Sequence, residues 1–168
     1  TVLGMSRTAL EFRDPKTQEE ALSYAQIGLR VAEQLGDAPR TAWAHGAMGE
    51  ALRALGRSED AIPHLRASLE DGDHAPVSAR RALAAALIES GDTQTAISVY
   101  EDAVKRADQA GVALERANVR RDLGLARWRN GDYAGAIQVW TAAIPLYEES
   151  NATAQVARLY CDIANARR

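Results

Sequence analysis

Cysteine is almost absent from this sequence of 168 residues, in which Cys161 is the only one. A single thiol excludes an internal disulfide and a zinc site built from several thiolates, and it is typical of a reducing compartment. No apolar run approaches the roughly 20 residues of a membrane-spanning helix, and the first residues do not form a signal peptide. We therefore expect a soluble, cytoplasmic protein that does not enter a membrane.

Lysine is also scarce, and positive charge is nowhere concentrated. Lys16 and Lys105 are the only lysines, and the 20 basic residues are balanced by 23 acidic ones. Because no block of Lys or Arg is present to neutralise a phosphate backbone, we expect no direct binding of nucleic acid. The excess of Arg and Ala is typical of GC-rich bacterial coding, and the abundance of Ala with only 5 prolines favours helix throughout.

One stretch recurs along the chain and sets the spacing of the rest. Residues 131–140 read Gly-Asp-Tyr-Ala-Gly-Ala-Ile-Gln-Val-Trp, and similar stretches lie at 91–100 and 56–65, each with Gly first and Ala-Ile in the middle. Gly ends one helix by tolerating a left-handed backbone, Asp or Ser caps the next, and Ala allows two helices to approach closely. The stretch therefore predicts a helix, a turn and a second helix.

The repeat has a period of 35 to 40 residues, as the alanines Ala21, Ala61, Ala96 and Ala136 of the second helices show. A period of this length is typical of stacked helical repeats. We predict one all-α domain over 1–168, divided into repeats at about 1–37, 38–76, 77–112 and 113–152 with a partial unit at 153–168, and forming part of a longer protein. The predicted helices, about nine in number, are 2–13, 17–35, 40–55, 58–71, 76–90, 93–110, 113–130, 133–149 and 153–168.

This pattern resembles the tetratricopeptide repeat (TPR). The resemblance is carried by residues at matching places in three repeats: Met48, Gly49, Leu52, Gly56, Ala61 and Leu65; Leu83, Ala84, Leu87, Gly91, Ala96 and Tyr100; Leu123, Gly124, Gly131, Tyr133, Ala136 and Trp140. The longer repeat is similar to those of kinesin light chains and of the sensor regions of bacterial transcriptional regulators. The resemblance implies a right-handed superhelix of antiparallel helical hairpins, whose concave groove, lined by the first helices, binds peptides or protein segments.

Half a turn from the packing face of each first helix lies the predicted groove face. Its most promising members are basic, amide and aromatic side chains that could bind a peptide carrying a carboxylate. The candidate binding residues are Arg81, Arg121, Asp122, Trp128, Arg129, Arg158, Asp162 and Asn165. The alternative is that these arginines are solvated and pair with Asp122 and Asp162 across the stack.

Nothing in the sequence predicts catalysis. His45, His64 and His74 have no carboxylate or Cys at ligand spacing, and Cys161 has no obvious base beside it. A glycine-rich phosphate loop, a nucleophile elbow and paired catalytic carboxylates are all missing. We therefore expect no enzymatic activity, no metal and no cofactor.

Two functions remain open at this point. The first is a protein- or peptide-binding scaffold within a larger, bacterial regulatory protein. The second is a sensor of a small molecule or signalling peptide that controls an attached effector, such as a DNA-binding or NTPase domain. A weak homodimer through residues 153–168 is also expected, because Tyr160, Ile163 and Ala164 form a stripe made to meet a following helix.

Overall fold

The computed structural model describes residues 15–70 and 76–167, and over these residues the chain is helical without any strand. Its helices are α1 Pro15–Leu35, α2 Ala38–Ala54, α3 Ser58–Ala67, α4 Val77–Glu89, α5 Thr93–Ala110, α6 Ala113–Arg129, α7 Tyr133–Glu149 and α8 Thr153–Ala166. Each coincides with a predicted helix to within a few residues, and the largest difference is at α3, which ends at Ala67. The helix predicted over 2–13 lies outside the described residues.

The chain divides into two compact units, of which the first ends at Ser90 and the second begins at Gly91. The first contains α1 to α4 and the second contains α5 to α8. Within each unit every helix packs on the next helix along the chain, and in the first unit α2 also contacts α4. Each unit is therefore a series of antiparallel helical hairpins, as predicted.

The turns between helices follow the predicted chemistry at three places. Gly131 has a φ of +84°, in the left-handed region that favours glycine. The next residue, Asp132, caps α7 by accepting a hydrogen bond from the Gly135 amide at 2.8 Å. Asp92 caps α5 and Asp37 caps α2 in the same way. These side chains satisfy amide groups that the first turn of a helix leaves without partners.

The cap predicted at Ser58 is wrong. Helix α3 begins at Ser58 itself, so Arg57 occupies the cap position and makes no capping hydrogen bond. The buried Ser58 hydroxyl instead donates to Oε2 of Glu89 at 2.6 Å, and Arg53 donates to Oε1 of the same carboxylate at 2.9 Å. Glu89 of α4 therefore links α2 and α3.

The second unit is built around aromatic residues of α7. Trp140 lies directly on Gly124, where an added Cβ would come within 2.8 Å of its Cε2 atom, and the indole N–H donates to the Arg121 carbonyl oxygen at 3.0 Å. The Tyr147 hydroxyl donates to Asn118 Oδ1 at 2.8 Å. Small residues thus lie where the helix axes approach and aromatic residues fill the space beside them, as the repeat predicts.

The face that α8 buries against the rest of this unit differs from the predicted one. Ile163, expected to stay open for a following helix, is buried with Leu159 in the cluster that contains Trp140 and Tyr147. Tyr160 is 57% exposed, and Ala164 is exposed as well. The prediction for Ile163 is therefore wrong, because it lies on the side of α8 that packs on α7.

Candidate functional site

Four predicted site residues lie on α6 of the second unit. Arg121 donates to Asp122 Oδ1 from Nε at 3.0 Å and from a terminal nitrogen at 2.7 Å. Burial of the guanidinium opposes its charge, but the Asp122 carboxylate outweighs this effect and raises the pKa of Arg121 above its usual value. The side chain is therefore held charged in a fixed orientation on the α6 surface.

An aromatic surface follows toward the end of the same helix. Trp128 is 40% exposed and packs edge-on against Tyr133, with 6.4 Å between the ring centroids. Leu125, one turn earlier, is 41% exposed, and Arg129 is exposed beside Trp128. A partly exposed indole supported by a second ring offers apolar contact area at low cost in side-chain entropy.

The remaining predicted residues of this unit lie on α8. Arg158 and Asn165 are exposed and Asp162 is half-buried. Spacings of four and three residues place all three on one side of the helix. Within the described residues Arg158 and Asp162 form no ion pair, whereas Arg121 pairs with the adjacent Asp122. This ion pair joins neighbours in sequence, and the alternative of ion pairs across the stack stays a prediction.

The remaining predicted site residue, Arg81, is on α4 of the first unit, where it is half-buried. Its neighbour Arg80 is buried. Ala82, which the helical wheel places on the groove face, is buried as well. The helical wheel does not predict the burial of Ala82, because α4 packs on more than one helix.

The first unit has a feature that the sequence did not single out. Trp43 on α2 is 76% exposed and stands between two cavities. One measures about 390 Å³ and is lined by Trp43, Gly46, Ala47, Glu50 and Ser78 among others. The other measures about 560 Å³ and is lined mainly by apolar residues of α1 and α2, including Val31 and Leu35. The sequence signal that could have predicted this feature is Trp43 together with the small residues Gly46 and Ala47, which a helical wheel places on the same face of the helix.

Two histidines that no predicted site included lie together in the structure. His45 Nδ1 and His64 Nδ1 are 3.0 Å apart across the α2–α3 contact, and the two rings are stacked with 5.2 Å between centroids. Burial, followed by the positive charge that His45 can carry, lowers the pKa of His64, although Asp60 acts in the opposite direction. One ring must donate and the other accept, so at least the accepting ring is neutral when this hydrogen bond is formed.

Certain kinds of site are absent from the residues that the structure describes. No group of three or more His, Cys, Asp or Glu side chains is placed to hold a metal ion in those ranges. None of the helices there is long and apolar enough to cross a membrane. Cys161 is exposed on α8.

Comparison with known proteins supports the repeat assignment. The fold resembles that of a putative kinesin light chain from Podosopora anserina with nearly identical TPR-like repeats, with a TM-score of 0.75 and 16% identity, covering 96% of this chain and 85% of that one. It also resembles BtubC (BKLC) from P. vanneervenii, with a TM-score of 0.70 and 16% identity over 89% of this chain. MamA gives a TM-score of 0.61 at 18% identity, covering 92% of this chain and 94% of that one.

These likenesses concern the fold, and the chain spans 65% of the length of BtubC. No curated protein matches the sequence at a significant level. Two family models, both described as tetratricopeptide repeat, match residues 18–71 in one case and residues 46–111 and 81–152 in the other. The predicted fold class is thereby confirmed, and the chain belongs to the tetratricopeptide repeat family.

Proposed function

We propose that this chain is a protein-binding scaffold and that the exposed faces of α6 and α8 bind a peptide segment carrying a carboxylate. The supporting observation is the combination of a charged Arg121, fixed by Asp122, with the exposed Leu125 and Trp128 on one helix. An oriented guanidinium binds a carboxylate through two hydrogen bonds, and a supported indole gives apolar contact. Membership of the tetratricopeptide repeat family supports a general role as a protein-interaction scaffold. This proposal adds which surface binds the partner and which chemical group the partner presents.

Arg158 and Asn165 extend the same chemistry to α8. Both side chains are exposed, and Arg158 has no ion-pair partner among the described residues. A peptide lying along the unit could therefore be bound by Arg121, Trp128 and Arg129 on α6 and by Arg158, Asp162 and Asn165 on α8. Arg81, in the first unit, is the remaining member of the proposed binding set.

Alanine substitution of Arg121, Trp128 and Arg158 tests this proposal. Peptides selected for binding to the full chain from a random library should lose about 1 kcal/mol or more of binding free energy with each variant, as expected of interface anchors. Tyr24→Ala, which removes an exposed aromatic side chain of the first unit, is the matched control and should leave their affinity unchanged. Unchanged affinity in all three variants would mean that the site is elsewhere.

We place this scaffold in a larger, bacterial regulatory protein of the cytoplasm, and propose no catalytic activity for it. The Arg- and Ala-rich composition supports a bacterial source, and the single cysteine supports a reducing compartment. A second candidate is a sensor for a small molecule or signalling peptide that controls an attached effector in transcription or signalling. The cavity of about 390 Å³ beside Trp43 favours it, since small-molecule sites have this size.

Weak self-association through α8 is part of the same proposal. Its support is the exposed ring of Tyr160 beside the exposed Ala164. Two copies of this patch could meet around a two-fold axis. Light scattering over a concentration series should show a dimer that Tyr160→Glu removes, and a strict monomer at high concentration would exclude this contact.

A further inference from the structure

Trp43 is the most exposed of the large apolar side chains in the first unit, and its surroundings differ in charge from the α6–α8 surface. It stands on α2 at the edge of the cavity of about 390 Å³ that also touches the start of α4. We call this cavity with Trp43 and Glu50 the Trp43 cleft. Its lining is apolar or small except for two serines and Glu50, which is the one charged side chain that lines it among the described residues.

Glu50 lies two helical turns after Trp43, on the same side of α2. Its side chain is exposed, and within the described ranges it forms no ion pair. Two other carboxylates of this unit do have partners, since Glu89 pairs with Arg53 at 2.9 Å and Asp60 pairs with Arg57 at 2.8 Å. Glu50 therefore presents an uncompensated negative charge beside an exposed indole.

We propose that the Trp43 cleft binds a peptide segment that presents a Lys or Arg side chain flanked by aliphatic residues. The cation would lie between the face of Trp43, whose ring electrons attract it, and the carboxylate of Glu50. The methylene stem and an aliphatic neighbour would enter the small-residue floor made by Gly46 and Ala47. The cleft thus selects positive charge, whereas the surface proposed on α6 and α8 selects negative charge.

Arg40 is a cation close to Trp43 in the sequence and does not contradict this assignment. It lines the second cavity, and its guanidinium pairs with Asp37. That ion pair compensates the Arg40 charge at the start of α2. Among the described residues, the charged side chain that lines the Trp43 cleft is therefore Glu50.

The test uses the full chain and three synthetic pentapeptides with blocked ends. The first has the sequence alanine-leucine-lysine-leucine-alanine, and the others carry glutamate or the uncharged norleucine in place of lysine. Binding is followed by two-dimensional ¹H–¹⁵N NMR of the indole N–H groups of Trp43, Trp128 and Trp140, with Trp43→Phe used to assign the first. The lysine peptide should shift the Trp43 signal saturably at low salt, and the glutamate peptide should not.

Two substitutions separate charge recognition from apolar contact. Glu50→Gln should lower the affinity for the lysine peptide about two- to fivefold, which is the range expected of exposed ion pairs and cation–π contacts. The affinity for the norleucine peptide should be unchanged. Glu59→Gln, an exposed carboxylate on α3 outside the cleft, is the matched control and should change neither. Trp128→Ala should also change neither, which keeps this test independent of the α6–α8 surface.

Three results would overturn the proposal. Equal shifts of Trp43 with the lysine and glutamate peptides would show that the cleft does not select charge. No saturable shift of Trp43 at millimolar lysine peptide would show that the cleft does not bind such a segment. Unchanged affinity in Glu50→Gln would remove Glu50 from the site.

Discussion

Gly49 lies where α2 packs directly on Leu65 of α3, and we expect Gly49→Ala to destabilise the first unit. An added Cβ would lie 2.7 Å from Leu65 Cδ2, nearer still to Leu65 Cγ, and 3.3 Å from the Ala61 carbonyl oxygen. Leu65 is fully buried, so its side chain cannot move into solvent. Either the leucine must leave its rotamer or the two helices must separate.

The expected magnitude is a difference of two opposing effects. Overpacking of a core contact costs about 1–3 kcal/mol. Alanine is better than glycine inside a helix by about 1 kcal/mol, so the net loss is up to about 2 kcal/mol. Gly46→Ala, one turn earlier in the same helix, is the matched control because its Cβ would meet only Ser68 Cβ at an ordinary 3.6 Å. That variant should gain up to about 1 kcal/mol.

Urea denaturation followed by circular dichroism, with hydrogen exchange of α2 and α3 amides, measures this difference. Hydrogen exchange is needed because the repeats of such a protein need not all unfold in a single transition. Helix propensity is the same in both variants and cancels when their unfolding free energies are compared. Equal stability of Gly49→Ala and Gly46→Ala would show that α2 and α3 do not approach closely at Gly49.

Three further changes test other parts of the fold. Ala136→Arg should cost more than about 4 kcal/mol in thermal melting, because the position is fully buried and offers no partner for the charge. Asp132→Ala should cost about 1 kcal/mol in urea, because it leaves the Gly135 amide uncapped. The first unit should lose stability below about pH 6.5, where unfolded His64 begins to bind protons. Burial foremost, and then His45, lower the folded pKa of His64, so its contribution is present above that pH and is lost as the pH falls through the folded pKa.

Each of these changes has its control. Parent-like melting of Ala136→Arg would mean that the alignment of the repeats is wrong. Asp132→Asn should keep most of the stability, because its amide oxygen can still accept from Gly135. His64→Gln should flatten the dependence of the urea midpoint on pH, and an unchanged slope would assign that dependence to other groups.

The helices and turns could be predicted because their signals are local. Gly131 and Asp132 carry the information for ending one helix and capping the next, and the same pair of signals recurs at Gly91 and Asp92. The contact of Trp140 with Gly124 followed from matching positions in the repeat, since a small residue recurs where a large one must fit. These features depend on residues whose spacing is fixed by helix geometry.

The side-chain pairs between helices could not be predicted in the same way. His45 and His64 meet only because of the rotation of α2 against α3, which their separation in sequence does not give. The Trp43 cleft likewise depends on the positions of α2 and α4 and of Ser68 and Pro76. Of the predicted site, Trp128 and Arg158 are exposed and Arg121 is half-buried, while their joint use by a partner stays a prediction.

The bond between Ser58 and Glu89 limits how freely these repeats could be recombined. Repeats can be duplicated or exchanged in a repeat protein when each one packs on the next in a similar way. Arg129 occupies the place in α6 that Glu89 occupies in α4, since the repeats align at a spacing of 40 residues there. Exchanging the two helices would remove the acceptor of Ser58 and set two guanidinium groups, those of Arg53 and Arg129, against each other. The order of the repeats in this chain therefore depends on charge complementarity as well as on packing.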